Sequence, residues 1–212
     1  SFTHSDPLIP PTGGKKPFLG NNPICFTAPC DGEEPICLDM ATSMITFNKI
    51  LRMREDQEIA PAGVGFDKNG LEATDPNKIV SLAPAGGYKG YGLSLMVEVL
   101  CALLSNMPFG PHIGHMYNDT LDKKRNLGQF FMAIKIVCFS DPAQFKIRIK
   151  QLTDELRGQE RIDQNLPILV AGDPEKIVKA KRSRNGIPVG KNEQGFLRDL
   201  SKVYSINLQG LN

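Results

Sequence analysis

The spacing of apolar and polar positions changes several times along the chain, and each change predicts an element. Ser1 to Pro11 carries a His-Ser-Asp-Pro turn and then Leu8-Ile9-Pro10-Pro11, where the prolines exclude helix and favour an extended edge. A turn at Thr12–Pro17 leads to short strands over Ile24–Ala28 and Pro35–Met40, parted by Asp31-Gly32. Ile45 to Gln57 spaces Ile45, Ile50, Leu51 and Met53 among charges, which predicts an amphipathic helix. Val64 to Leu71 predicts a hairpin turning at Asn69-Gly70. From Leu93 to Leu104 apolar residues cover nearly every direction around a helix, with Glu98 the only charge, so a core helix buried on most sides is expected.

Beyond it, Met107–His115 is a Pro/Gly loop, and a polar stretch from Tyr117 to Gly128 precedes a β-rich run over Gln129–Phe139 with buried character. Asp141-Pro142 opens a helix through Arg157, with Phe145, Ile149, Leu152 and Leu156 at helical spacing. A last strand is expected over Asn165–Val170, then a basic helix Lys176–Arg184 with Asp173 as a candidate N-cap. A tail from Glu193 to Ile206 repeats apolar residues at helical spacing. The sum is an α/β chain with two expected divisions, 1–142 and 143–212.

Composition narrows the partners. At 212 residues, 41% hydrophobic and 23% charged, the chain has the make-up of a soluble globular protein, and a net charge of +2 removes the electrostatic case for nucleic acid or an anionic membrane. The five cysteines are odd in number, form no C-x-x-C pair and imply reduced, packed thiols in a cytosolic protein. The dozen apolar residues of the core helix fall short of the ~20 that span a bilayer. The chain shows no signal peptide and no initiator Met, and is expected to be the later part of a longer protein.

Candidate chemistry gathers at Ala83-Pro-Ala-Gly-Gly-Tyr-Lys-Gly-Tyr-Gly92, where glycines allow close approach to the main chain and Lys89 supplies a cation. Neither a G-x-G-x-x-G nor a Walker frame is present, so an anion site and a tight turn with a solvated lysine both fit. Asp39, at the end of a strand, suits a ribose diol or a helix N-cap. Ser5 and Asp6 suit local turn hydrogen bonds or a ligand, and Arg125 suits a carboxylate or a surface ion pair. The start of the helix after Gly172-Asp173 suits an anion or ribose. His112-Ile-Gly-His115 sits in a loop with no third ligand, so no metal is expected. The five basic residues of Lys176–Arg184 lack interleaved aromatics and fit a solvated helix face.

Leu19-Gly-Asn-Asn-Pro-Ile24, Leu38-Asp-Met-Ala-Thr-Ser43, Gly86-Gly-Tyr-Lys-Gly-Tyr-Gly-Leu93 and Arg125-Asn-Leu-Gly-Gln-Phe-Phe-Met-Ala-Ile134 together resemble the type-2 malate/L-lactate dehydrogenase family. Ser5-Asp6-Pro7, Pro108-Phe-Gly110, Met116-Tyr117 and the Arg125 motif look most like its ureidoglycolate dehydrogenase branch. The resemblance implies a non-Rossmann cofactor domain with a mostly antiparallel sheet flanked by helices, followed by C-terminal helices that complete it and dock on an N-terminal domain. It implies a cytoplasmic homodimer or higher homo-oligomer that transfers a hydride between a small 2-hydroxy acid and the nicotinamide of NAD, or of NADP. By matched position, Ser5, Asp39, Met40, Ala41, Lys89, Gly172, Asp173 and Pro174 would contact the cofactor. Arg125 and Asp6 would face the substrate.

Two positions depart from the pattern: Asn21 stands where the family usually has Thr, and Ala171 where Pro is common. The family's proton-transferring histidine belongs upstream of Ser1, and His4, His112 and His115 do not match it, so the 212 residues alone are expected to be inactive. Malate, L-lactate or sulfolactate oxidation, or reduction of a 2-keto acid, is the alternative within the family. A cofactor-binding fragment without activity is the alternative outside catalysis, and a fragment whose glycines serve only turns is the third.

Overall fold

In the computed structural model, residues 1–116, 119–120 and 122–208 are described, and they form two compact units, Ser1–Ala171 and Gly172–Asn212. The first unit is α/β. Its main sheet has four strands in the order β3-β2-β1-β6, from β1 (Phe2–Thr3), β2 (Ile24–Ala28), β3 (Ile36–Met40) and β6 (Gln129–Phe130), every neighbouring pair antiparallel. The β2–β3 hairpin is the longest ladder, running from Ile24 opposite Met40 to Ala28 opposite Ile36. This pairing puts Cys25, Thr27, Cys37 and Asp39 on one face, because facing residues project to the same side. A second, two-stranded sheet joins β4 (Gly65–Phe66) to β5 (Ser81–Leu82).

Helix α1 (Phe47–Glu55) begins at Thr46, whose hydroxyl accepts from the Lys49 N–H, and it carries Arg52 and Arg54 in its last turn, where they complement the helix dipole. It buries Ile50 and Met53 into a dry core with Leu8, Ile45, Val64, Ile79 and Leu82. The expected turn at Asn69-Gly70 forms: Asp67 Oδ1 accepts from the N–H groups of Asn69 and Leu71 at 2.8 and 2.9 Å, and Gly70 takes φ 79°. The strand before it pairs mainly with β5 across the second sheet, and only a single bridge links Phe66 to Glu72.

Five expectations need correction. Helix α2 (Tyr88–Glu98) starts five residues earlier than the apolar run, so Gly90 and Gly92 are helical and only Gly86 and Gly87 take positive φ, at 65° and 66°. It continues as a π turn, Val99–Leu103. Nor is the helix buried on most sides. Its inward stripe is Gly90, Ser94, Val97, Glu98, Cys101 and Ala102, while Leu93, Leu95, Met96, Val99, Leu103 and Leu104 are 40–69% exposed. At Gly90 the backbone of the neighbouring loops comes too close for any side chain, while Ser94 and Glu98 face in to hydrogen-bond partners.

The run over 129–139 contributes only β6; Phe131, Met132, Ile134, Val137 and Phe139 are exposed, and Ile136–Cys138 is a 3₁₀ turn. No strand forms over 165–170, among the described residues. Helix α3 (Pro142–Arg157) forms as expected, with Asp141 capping it through the Gln144 N–H at 2.8 Å. In the second unit α4 (Asp173–Asn185) is capped by Gly172 at φ 96°, so Asp173 is the first helical residue and not the N-cap. The tail folds as α5 (Lys191–Tyr204).

Candidate functional site

The site is built around Asn21 and Asn22. Asn22 is fully buried at φ 22°, a backbone setting that asparagine tolerates better than most residues. Its side-chain oxygen accepts from the Ser5 N–H at 3.0 Å, and its amide nitrogen donates to the Ser94 carbonyl at 2.9 Å and to Glu98 Oε2 at 2.8 Å. Next to it, Asn21 receives the Ser5 hydroxyl on Oδ1 at 3.0 Å, and its carbonyl accepts both the backbone N–H and the hydroxyl of Thr42, at 2.9 and 3.0 Å. Thr42 immediately follows Asp39-Met40-Ala41, and its own carbonyl accepts from the Ala85 N–H at 2.8 Å, just ahead of Gly86-Gly87.

Three sequence-distant candidates therefore converge: Ser5, the end of β3 and the start of α2 hang on one polar hub. Gly90 closes it. A Cβ there would lie 2.6 Å from the Ala85 nitrogen, 2.9 Å from the Thr42 carbonyl oxygen, and closer still to the Ala85 carbonyl oxygen, so only glycine lets the helix sit this near.

At the start of α2, Gly87 is the N-cap and makes no side-chain cap hydrogen bond, and nothing lies within 4 Å of where a Cβ would stand. Lys89 is exposed in that first turn. Open space, uncapped N–H groups and a cation together fit a diphosphate. Asp39 is exposed on the edge strand β3 beside a cavity of about 340 Å³ lined by Ser1, Phe2, Thr3, Pro23 and Cys25. It does not cap the following helix, since Thr46 does that.

Asp6 and Arg125 also meet. Asp6 is 3% exposed; its Oδ1 lies 3.7 Å from Arg125 Nη1, and its Oδ2 accepts from the Met116 N–H at 3.1 Å and lies 3.9 Å from His115 Nδ1. The side chains of Ser5 and Asp6 thus bond across the fold and not within their own turn. The same loop is braced by Asp119, which accepts from the His115 N–H at 2.7 Å and from Lys123 Nζ at 2.9 Å; the Lys123 contact holds its carboxyl below the usual carboxylate range. Tyr117, part of the resemblance, lies outside the described residues.

His4 is fully buried: Nδ1 lies 3.2 Å from both the amide nitrogen and the carbonyl oxygen of Gly128, and Nε2 lies 3.0 Å from the Pro108 carbonyl oxygen. His112 packs edge-on against Phe109, at 5.2 Å between ring centroids. Among the described residues no group of three or more His, Cys, Asp or Glu gathers to hold a metal, and no helix is long and apolar enough to cross a membrane. Gly172, Asp173 and Pro174 belong to the second unit, where Lys176 lies 3.8 Å from Asp173.

Sequence reasoning passed over Asn22, Thr42, Ser94 and Glu98 as site residues. One signal was available: a single charge in an otherwise apolar helix must find partners if it is buried.

Comparison with known proteins adds the following. Residues 1–198 match the malate/L-lactate dehydrogenase family. The chain is 35% identical to the ureidoglycolate dehydrogenase (NAD(+)) of Escherichia coli K12 over 189 residues, covering 89% of the chain and 54% of that protein. It is 31% identical to the malate/(S)-sulfolactate dehydrogenase of Methanothermus fervidus, covering 98% of the chain and 60% of that protein. Among solved structures, the malate dehydrogenase of Entamoeba histolytica superposes with a TM-score of 0.89 at 27% identity, covering 98% of this chain and 61% of its own. The sulfolactate dehydrogenase of Methanocaldococcus jannaschii gives 0.85 at 32% identity, covering 97% of this chain and 59% of its own. The chain spans between about half and three fifths of the length of these relatives.

Proposed function

The chain belongs to the malate/L-lactate dehydrogenase family, and on that premise we propose that it forms the cofactor platform of an NAD(P)-dependent 2-hydroxy acid dehydrogenase. Ureidoglycolate is the first substrate to test and NAD the first cofactor, because both stand in the name of the E. coli relative. Malate, L-lactate and sulfolactate, or a 2-keto acid in the reverse direction, are the alternatives, and the names of the archaeal relatives favour malate and sulfolactate among them. The intact enzyme on this reading is a cytoplasmic homodimer or higher homo-oligomer built on a non-Rossmann sheet.

The observation that carries the reading is the convergence of Ser5, the end of β3 and the Gly86–Lys89 helix start on the Asn21–Asn22 hub. Ser5, Asp39, Met40, Ala41 and Lys89 hold the cofactor, Lys89 and the uncapped turn on the diphosphate and Asp39 on a ribose. Gly172, Asp173 and Pro174 are assigned to the cofactor by matched position in the sequence. The bound nicotinamide takes the hydride from C2 of the hydroxy acid or returns it. Arg125 forks onto the substrate carboxylate, and Asp6, buried behind it, holds the guanidinium in place. None of the three histidines takes the hydroxyl proton: His4 is committed on both ring nitrogens, and His112 and His115 lie in a loop outside the matched motif.

Two measurements test this. Titrating the 212-residue chain with NADH is expected to give saturable fluorescence quenching, and Lys89→Ala to weaken it by about tenfold, the loss of one charged contact. The same chain is expected to turn over neither ureidoglycolate, malate nor L-lactate. Absence of saturable quenching, or a Lys89→Ala titration that overlays the unaltered chain, overturns the cofactor assignment.

A further inference from the structure

We infer that Glu98 is a positioning residue that locks the cofactor side of the site to its substrate side, an inference that rests on the function proposed above. Glu98 is 3% exposed and carries a carboxylate into the interior at the junction between α2 and the π turn Val99–Leu103. Its two oxygens are divided. Oε2 accepts from Asn22 Nδ2 at 2.8 Å, and the same Asn22 holds the Ser5 N–H through its Oδ1. Oε1 accepts from the Gly110 N–H at 2.8 Å.

Gly110 opens the 3₁₀ turn Gly110–His112, and its carbonyl accepts from the Ile113 N–H at 3.1 Å. Three residues further on, the Met116 N–H reaches Asp6, the partner of Arg125. Gly110 sits at φ 51°, and a Cβ there would lie 3.0 Å from Phe18 atoms, so the turn needs glycine at this position. One carboxylate therefore fixes Ser5 through one oxygen and the Arg125 loop through the other. Neither a hydroxyl nor an amide can do this, because only a carboxylate offers two equivalent acceptors and no donor. A buried charge tied off on both oxygens is rigid, since each released donor would be left unpaired in a dry site.

The test is amide hydrogen exchange and NADH titration of Glu98→Gln and of Glu98→Asp, the first keeping length and losing an acceptor, the second keeping charge and losing reach. Both variants are expected to lose protection at the Ser5 and Gly110 amides together, by about tenfold, and to bind NADH about tenfold more weakly. The Leu82 and Ala83 amides, which donate to Leu8 and Val64 carbonyls in the dry core, are expected to keep theirs.

In the unaltered chain, the Ser5 and Gly110 amides are expected to share one protection factor, a comparison that stands even if both variants fail to fold. Loss at Gly110 with Ser5 unmoved, unequal protection in the unaltered chain, or parallel loss at Leu82 and Ala83 overturns the inference. NADH affinity that survives the paired loss of protection overturns it as well. An unaltered chain that binds no NADH overturns the functional reading instead, and the exchange data then still decide the link between the two loops.

Discussion

Around Ile50 the first unit is closed by Leu8, Ile45, Met53, Val64, Ile79 and Leu82, whereas around Asn22 it is closed by Thr42, Ser94, Glu98 and backbone amides. Both regions are buried, and they differ in what burial demands. Apolar contacts are non-directional, so the Ile50 core needs volume and little else. A buried polar group needs each partner at a set distance and angle, so the Asn22 hub fixes orientation at the risk of a large loss when any one member moves. A unit that presents loops from different parts of the chain needs both, one region to stay folded and one to hold those loops in register.

Substitutions that separate the two are the sharpest test. The largest effect is expected of Gly90→Ala, because its Cβ would meet backbone and not a flexible side chain. A stability loss beyond about 4 kcal/mol is expected, in the range reserved for severe clash or strain. Urea unfolding and NADH titration should show both the midpoint and the affinity lost. A variant with the unaltered midpoint would mean that the hub yields, and the contrast with the apolar core would fall.

Ile50→Ala comes next, at about 2–5 kcal/mol for a fully buried large-to-small change. Here the two readouts should part: the melting temperature falls, while NADH affinity measured on the folded protein stays within about twofold, since distant sites are nearly additive. A tenfold weaker affinity would show that the dry core, too, sets the site. Thr42→Val removes one hydrogen bond to the Asn21 carbonyl with little change of shape, and its expected cost is about 1 kcal/mol. Its effect on NADH affinity is expected to exceed that of Ile50→Ala, although its effect on stability is smaller; the reverse order would dissolve the distinction between the regions.

How far the chain was legible follows the same physics. Local signals were read well: the Ile24–Ala28 strand, the α3 helix capped by Asp141 and the Asn69-Gly70 turn depend on near neighbours, and each forms. The four motifs that carry the family resemblance contain Asn21, Thr42, Lys89 and Arg125, and the fold joins Asn21 to Thr42 in the hub, sets Lys89 in the helix turn that follows Ala85, and pairs Arg125 with Asp6. What the sequence did not convey was direction. In α2 hydrophobicity alone puts Leu93, Met96 and Leu103 inside, yet the inward stripe is Gly90, Ser94, Val97, Glu98, Cys101 and Ala102, with close backbone approach at Gly90 and hydrogen-bond partners for Ser94 and Glu98. Phe131, Met132 and Ile134 misled in the same way, since their apolar character does not specify what would cover them. Asn22 and Glu98 were missed because their partners, Ser5 and Gly110, are far away in sequence or carry only a backbone N–H.

The smallest effect is expected on β5, beside the core residue Leu82, where one buried residue breaks the rule of polar pairing. Ser81 is fully buried on β5, and its hydroxyl has no hydrogen-bond partner among the described residues. An unpaired buried polar group costs about 1–3 kcal/mol, and replacing the hydroxyl by a hydrogen removes that cost. Ser81→Ala should therefore raise stability, by up to about 1 kcal/mol once the slightly smaller side chain and its lost contacts are allowed for. NADH affinity should not move. The Asn22 hub is expected to behave in the opposite sense, since each polar atom removed there leaves a partner unpaired. A Ser81→Ala variant that melts lower than the unaltered chain would mean that the Ile50 core also depends on a directional bond, and the line drawn between the two regions would have to be moved.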